Sequence, residues 1–178
     1  MTRCIFRIVG VTFALLPGAA LAQEKSVGSY VGVEQCVMCH KSEKSGNQAG
    51  IWKQSKHAEA YNTLSTPRAD EIAKSKGLAV PAKDAPECLE CHTMRSSEPE
   101  HRKLGVQCEA CHGPGSAYRK MSVMKDKALS IAAGMTPHED KAAIERQCRS
   151  CHNEKSPTFK EFNFEERWAK IRHPKPAA

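Results

Sequence analysis

Four short cysteine–histidine motifs constrain the fold of this chain more than any other feature of its 178 residues. Each motif has two cysteines three positions apart and a histidine directly after the second one. This spacing is the attachment signature of a c-type haem, in which both thiols bind the porphyrin covalently and the histidine ligates the iron. The motifs predict four haem c groups, held by Cys36, Cys39 and His40; by Cys88, Cys91 and His92; by Cys108, Cys111 and His112; and by Cys148, Cys151 and His152.

Zinc sites and disulfide scaffolds also use paired cysteines, and the 16 residues between Cys91 and Cys108 form a gap of zinc-ribbon length. Neither alternative requires a histidine after the second cysteine of every pair. The chain has 8 histidines, so composition alone would place one after all four pairs roughly a few times in a million. Haem is therefore favoured over zinc and over disulfides.

The N-terminus has the features of a secretory signal peptide. Arg3 and Arg7 precede a short apolar stretch, and Ala20-Leu21-Ala22 is a cleavage site of the small-x-small type. We therefore expect residues 1–22 to be a signal peptide and residues 23–178 to be one domain. An uncleaved anchor is the alternative, although the apolar stretch is short for a transmembrane helix. Because haems of this type are attached after export, the signal and the motifs both predict a periplasmic protein, with the extracellular surface as a second location.

The basic charge of the chain is not a nucleic-acid signal. The formal net charge is +7, and loss of Arg3 and Arg7 with the signal lowers it to +5. Each ferric haem adds about one negative charge, since two propionates outweigh the charge of the iron, which leaves roughly +1 for the loaded protein. The lysines are thus expected to neutralise propionates and to steer an acidic redox protein.

Composition also indicates the fold class. Aromatic residues make up only 6% of the chain, and no long apolar run follows the signal, so side chains alone would form a small core. Four porphyrins would supply the missing apolar surface. We expect a mainly α fold of short helices and irregular loops wrapped around four haems, with little or no sheet.

Sequence patterns predict five helices and one linker. Capping signals mark two helix starts: Thr66 followed by Pro67, and Thr136 followed three residues later by Glu139. The predicted helices are 47–64, 67 to about 77, 116–132, 137 into the fourth motif, and 165–172, and the predicted linker is 77–87.

Four histidines lie outside the motifs and match the four irons, each of which needs a second axial ligand: His57, His101, His138 and His173. Full bis-histidine coordination predicts low-spin haems with low potentials and no open site, which suits electron transfer. Simpler interpretations exist, because His101 lies in a charged stretch and His138 lies at a predicted helix start. Methionines such as Met94 are weaker candidates, since methionine usually packs as a flexible core residue.

Three segments resemble the tetrahaem cytochrome c-554 family, known from ammonia-oxidising and other respiratory bacteria. They are Tyr30-Val31-Gly32 through the first motif to Trp52, Ser55, His57 and Ala58; residues 105–115 around the third motif; and the fourth motif with Phe162-Asn163-Phe164, Trp168, Ile171 and His173. The resemblance implies an electron carrier with closely packed haems and supports His57 and His173 as distal ligands. The chain departs from the pattern at Tyr118, where many similar proteins have a histidine. Either His101 or His138 supplies that ligand, or one iron lacks it.

The sequence therefore predicts a tetrahaem cytochrome that carries electrons between respiratory redox proteins and catalyses no reaction itself. Expected partners are redox proteins, with a membrane-associated quinol oxidase or dehydrogenase among the candidates, and no nucleic acid. Two alternatives stay open. One is a redox enzyme in which a five-coordinate haem acts on a small nitrogen oxide, with His101 or Tyr118 as proton donor. The other is a homo-oligomer in which the chain is the repeating unit of a haem filament.

Overall fold

Short α-helices joined by irregular segments make up the fold. The computed structural model describes residues 28–174, so the predicted signal peptide lies outside the described residues. Within that range there is no strand, and none of its helices has the length and apolar character needed to cross a membrane. The prediction of a mainly α fold is confirmed. The helices of this range are α1 Val33–His40, α2 Gln48–Lys53, α3 Pro67–Ser75, α4 Pro86–His92, α5 Pro99–Lys103, α6 Cys108–His112, α7 Met121–Met124, α8 Lys127–Ala132, α9 Lys141–Arg149 and α10 Phe164–Ile171.

The described helices are at most nine residues long. Isolated helices of this length are unstable in water, so these depend on caps and on packing. Thr66 caps α3 by accepting a hydrogen bond from the Ala69 N–H, and Asn163 caps α10 by accepting one from the Glu166 N–H. The predicted Thr66 cap and the predicted helix over 165–172 are thereby confirmed, the latter to within one residue at each end.

The side-chain core is small and lies beside the second motif. Leu64, Ala73 and Ala82 form its buried centre, and Cys88 of α4 packs against it. The segment predicted as a linker over residues 77–87 is therefore folded, because it forms a 3₁₀ turn whose Ala82 side chain enters this core. The core fixes the position of α4, which carries both cysteines of the second motif.

The helix predicted over residues 47–64 is interrupted, since α2 covers only its first part. The Ser55 hydroxyl donates to the Trp52 carbonyl at 2.7 Å, and hydrogen bonds of this kind compete with a regular helix. The His57 carbonyl accepts the Val106 N–H at 2.9 Å, and the Trp52 indole N–H donates to the Val106 carbonyl at 2.8 Å. These bonds fix the backbone of His57 beside the residues that lead into the third motif.

Gly105 makes this close approach possible. Its φ is +71°, and a Cβ at this position would lie 2.5 Å from the carbonyl oxygen of His57. Only glycine combines a positive φ with the absence of a side chain. The segment that holds His57 therefore packs directly on the backbone before Cys108.

The helix predicted over residues 116–132 is divided into two, α7 and α8. The division occurs at Asp126, whose carboxylate accepts the Leu129 N–H at 3.0 Å and so caps the start of α8. Ser130 of α8 is buried and donates its hydroxyl hydrogen to the Val123 carbonyl of α7 at 2.9 Å. A second helix start inside the segment, rather than one continuous helix, lets the two short helices pack on each other.

The capping box predicted at Thr136 and Glu139 is wrong, because α9 starts four residues later. Asp140 is its N-cap and accepts the Ala143 N–H at 2.7 Å. The backbone N–H of Thr136 instead donates to the His112 carbonyl at 2.9 Å. This bond directs the chain before α9 to the third motif and places His138 in the connecting segment rather than in a helix.

We expect Asp140→Ala to lower the free energy of unfolding by about 1 kcal/mol, the usual cost of losing an N-cap. Urea unfolding of the haem-loaded protein, followed by far-ultraviolet circular dichroism, measures this change. Glu139→Ala is the matched control and should change the free energy of unfolding by less than ~0.5 kcal/mol. An equal loss of stability in both variants would show that the capping box of Thr136 and Glu139 forms after all.

Candidate haem-binding site

Each motif lies at or just beyond the C-terminal end of a helix. His40, His92 and His112 are the last residues of α1, α4 and α6. In the fourth motif Cys148 lies in α9, and His152 follows in the next turn. Residues three apart share one face of a helix, so the two thiols of a helical motif lie on the same side, next to the histidine. This arrangement suits a ring that is bonded at two points and ligated from the same side.

The third motif caps the helix of the first. The N-cap residue of α1 is Gly32, which has no side chain for this purpose. The Glu109 carboxylate accepts the Gly32 N–H at 2.8 Å and the Val31 N–H at 3.0 Å, and Gln107 Oε1 accepts the Val33 N–H at 2.7 Å. The first N–H groups of a helix have no partner within the helix. Residues more than 70 positions away supply those partners, which fixes α1 against α6.

The cysteines bring the motifs together in two pairs. All eight between Cys36 and Cys151 are free thiols. The Cys36 thiol interacts with that of Cys108, and this interaction, together with burial, raises the pKa of Cys36. Burial, followed by the neighbouring Cys151 thiol, raises the pKa of Cys91 to about 11. The first motif thus lies against the third, and the second lies against the fourth.

Imidazole rings from outside the motifs lie next to two of the motif histidines. The His57 and His152 ring centres are 6.1 Å apart, and the rings are inclined by 52°. His112 has two such neighbours: His173 at 5.9 Å with a 40° inclination, and His138 at 5.3 Å in an edge-on arrangement. Three of the four predicted distal histidines are therefore brought to motif histidines.

Burial keeps four of these rings in the form that binds metal. Loss of contact with water lowers the pKa of His57, His138 and His152. It also lowers the pKa of His112 to about 4, with the neighbouring histidines adding to the effect. The neutral imidazole has the lone pair that ligates a metal ion. These four rings are thus neutral at physiological pH and available as ligands.

His92 of the second motif is held in one tautomer. Its Nδ1 lies 2.8 Å from the Ala60 carbonyl oxygen and 3.2 Å from Thr63 Oγ1. Since a carbonyl only accepts hydrogen bonds, Nδ1 carries the proton, and Nε2 keeps its lone pair. A hydrogen bond of this kind orients the ring of a metal-ligating histidine. Nε2 of His92 is therefore the nitrogen prepared for iron.

His101 lies over the start of α1, because a Cβ at Gly32 would be 2.9 Å from its Nε2. The residue belongs to α5 and is half-buried, so it does not lie in a solvated loop. No close ring pair within residues 28–174 includes His101. The structure places it beside the helix of the first motif without an imidazole partner there.

Tyr118 stabilises the turn after the third motif. Its side chain is buried, and its hydroxyl donates to the Gly113 carbonyl at 2.7 Å. Burial raises the pKa of Tyr118 far above its ordinary value. The hydroxyl hydrogen is thus engaged within the turn, and the alternative in which Tyr118 donates a proton at an open iron receives no support from this geometry.

The surroundings of His152 fit a porphyrin. An open surface pocket of about 380 Å³ borders this residue, and its lining includes Phe159, Arg149 and Lys155. Phe162 stacks on the His152 ring at a centre-to-centre distance of 4.6 Å and so fixes its orientation. An aromatic wall suits the apolar face of a porphyrin, and the two cationic side chains suit its propionates.

The same residues do not form a zinc ribbon. Within the part of the chain that the structure describes, no three histidine, cysteine, aspartate or glutamate side chains converge on a point where they could hold a metal ion. A structural zinc site needs four protein ligands around one point. Free thiols in pairs and imidazoles in opposed pairs instead fit a ring attached at its edge and ligated on both faces.

Gln107 and Glu109 are site residues that the sequence patterns do not reveal. They are 2% and 1% exposed, respectively. Glu109 occupies a position between the two cysteines, where the chain's other motifs have Val37, Leu89 and Arg149. Because these residues differ in size and charge, the position carries no pattern. Only the long-range contacts identify its role.

The chain is similar in sequence to proteins of a known family. Residues 35–113 match the family model described as cytochrome c554 and c-prime. Cytochrome c-554 of Nitrosomonas europaea is 31% identical over 82% of this chain, and the chain spans about 65% of that protein's length. The solved structure of the reduced state of cytochrome c554 from Nitrosomonas europaea is 26% identical, covers 82% of this chain and 79% of its own, and has a TM-score of 0.47.

Proposed function

We propose that the chain is a member of the cytochrome c-554 family of haem c proteins, which it resembles in sequence, and that it is a periplasmic tetrahaem electron carrier without catalytic activity of its own. The observation that carries this proposal is the pairing of imidazoles at the motif histidines. Histidine on both faces of an iron leaves no position for a substrate, so such a site transfers electrons and binds nothing else.

The ring distances support specific axial pairs. Two imidazoles on opposite faces of one metal ion have ring centres about 6 Å apart, since each metal–nitrogen bond is about 2 Å and each ring centre lies about 1 Å beyond its nitrogen. The distance between His57 and His152 is 6.1 Å, and that between His173 and His112 is 5.9 Å. The proposal therefore assigns His57 to the fourth motif and His173 to the third.

Two distal candidates remain for the first and second motifs. His138 is 5.3 Å from His112, which is too short for an axial pair, so it is free to serve another iron. His101 lies over the start of α1, the helix that ends at His40, which supports His101 as the ligand opposite His40. The proposal then assigns His138 to the second motif, opposite His92.

When bound, haem iron supplies a one-electron centre that alternates between the ferric and ferrous states. The chain contributes the ligands and arranges the motifs in two adjacent pairs, first with third and second with fourth. Adjacent attachment sites favour electron transfer within each pair. After burial, the Cys148 and Cys151 thiols add to the raised pKa of Cys111 in the third motif. The two pairs of motifs therefore lie near one another.

Export and partners follow from the sequence rather than from the fold. The signal peptide over residues 1–22 supports a periplasmic location for a domain of residues 23–178. Lysines that steer an acidic protein support acidic redox proteins as partners, with a quinol oxidase or dehydrogenase at the membrane as one candidate. Because the chain is shorter than its curated relative, that protein's own partners are not carried over.

The test is an electron paramagnetic resonance spectrum of the purified, oxidised protein, with iron counted per chain. We expect four irons, all low-spin, and no binding of carbon monoxide after reduction. Three low-spin irons and one high-spin iron would contradict the carrier proposal and support a redox enzyme with one five-coordinate haem. Fewer than four irons per chain would contradict the tetrahaem assignment itself.

A further inference from the structure

Glu109 is the only buried carboxylate among residues 28–174, with 1% of its surface exposed. No lysine, arginine or histidine pairs with it in that range. Its two oxygens accept hydrogen bonds from backbone N–H groups alone. These are Val31 at 3.0 Å, Gly32 at 2.8 Å and Gly115 at 2.6 Å.

This setting stabilises a negative charge without a counter-ion. Backbone N–H groups that converge on a carboxylate form strong, charge-assisted hydrogen bonds. Gly32 is the N-cap of α1, and the N-terminus of a helix carries a partial positive charge that favours an anion. The charge of Glu109 is therefore held in place by the fold rather than neutralised by a cationic side chain.

Glu109 also lies between two attachment sites. It stands between Cys108 and Cys111 in the third motif, and its carboxylate holds the start of the helix that carries Cys36. Its field reaches both motifs: after the Cys108 thiol and burial, the Glu109 charge is among the causes that raise the pKa of Cys36. In the third motif the Cys36 thiol lowers the pKa of Cys108, and the Glu109 charge opposes that shift.

We propose that Glu109 is a positioning residue that holds the first and third haems together and lowers their reduction potentials through its buried negative charge. The physical reason is that a fixed negative charge stabilises the ferric state, which carries one more positive charge than the ferrous state, and does so more strongly where water is excluded. The inference rests on the proposed function, because it requires haem on both motifs.

Three variants of the haem-loaded full chain test this role. Glu109→Gln removes the charge and keeps the shape, and Glu109→Asp keeps the charge and shortens the side chain. Glu90→Gln is the matched control, since Glu90 occupies a position inside the second motif, has 58% of its side chain exposed and lies 3.8 Å from Arg95. Haem content, haem-resolved reduction potentials and hydrogen exchange at residues 31–33 are measured for each.

For Glu109→Gln we expect at least one potential to rise by the equivalent of a tenfold change in the reduction equilibrium, about 59 mV for one electron. In Glu90→Gln every reduction potential should shift by less than the equivalent of a threefold change in the reduction equilibrium. In Glu109→Asp the potentials should stay within that same limit of the wild-type values, but hydrogen exchange at residues 31–33 should be faster. A fully loaded Glu109→Gln protein whose potentials match those of Glu90→Gln would overturn the inference.

Two further outcomes separate this inference from its premise. Wild-type protein without haem on the first or third motif would contradict the proposed function, whatever the variants do. If Glu109→Gln loses haem from those motifs, the reduction potentials of Glu109→Asp test the role of the charge. Potentials near the wild-type values support that role. A rise equivalent to a tenfold change in the reduction equilibrium contradicts it.

Discussion

Without its haems, the chain is expected to lose nearly all of its helical signal and to unfold without a cooperative transition. The described helices are at most nine residues long, and helices shorter than about 12 residues are marginal in water. The buried side-chain core is centred on Leu64, Ala73 and Ala82. Among residues 28–174 only ten hydrophobic side chains are buried, and four of them are alanines. They bury too little apolar surface to offset the conformational entropy of a chain of this size.

Far-ultraviolet circular dichroism of the mature chain made without haem attachment measures this loss. The haem-loaded protein of the same sequence is the control and should unfold cooperatively. An apo-protein with the helix content and thermal transition of the loaded form would show that side chains alone stabilise the fold. Haem would then not be required for folding.

Removal of His57 is expected to have the second largest effect. In His57→Ala, the iron of the fourth motif should change from low-spin to high-spin and bind one carbon monoxide per chain after reduction. The reason is the 6.1 Å distance between the His57 and His152 rings, which suits the two faces of one iron. No other histidine ring is in close contact with His152 among residues 28–174.

Electron paramagnetic resonance and carbon monoxide titration report this change, and Lys56→Ala is the control because its exposed side chain adjoins His57 without entering the site. The iron count should stay at four in both variants. If the fully loaded His57→Ala protein remained low-spin at all four irons, His57 would not be the distal ligand of the fourth motif. Another side chain would then have to ligate that iron.

Local signals in the sequence were enough for some elements and not for others. Thr66 and Pro67 define the start of α3 because every atom of that cap lies within one turn. The box at Thr136 has the same local signal, yet Asp140 caps α9 instead, because the Thr136 N–H bonds to the His112 carbonyl in a distant motif. A tertiary hydrogen bond overrides a local preference that a sequence pattern can read.

In the candidate site, too, some features can be predicted from local sequence and others depend on contacts between distant segments. The spacing of cysteines and histidines is a covalent requirement, so the haem c cofactor follows from it directly. The pairing of His57 with the fourth motif depends on how residues 105–106 pack on its backbone, which Gly105 permits. Glu109 is not marked by any pattern, since its burial is a property of the folded chain. What sequence reasoning could not supply is the set of contacts between segments far apart in the chain.

The cap of α1 has a consequence for the order in which the protein is made. Its partners, Gln107 and Glu109, follow the first motif by about 70 residues. Because haem is attached after export, and the signal peptide is expected to lead the chain across the membrane, we expect the first motif to be exported before these two residues. Until they follow, the N–H groups at the start of the first helix have no partner. We therefore expect the two thiols of the first motif to be most accessible before the third motif has been exported.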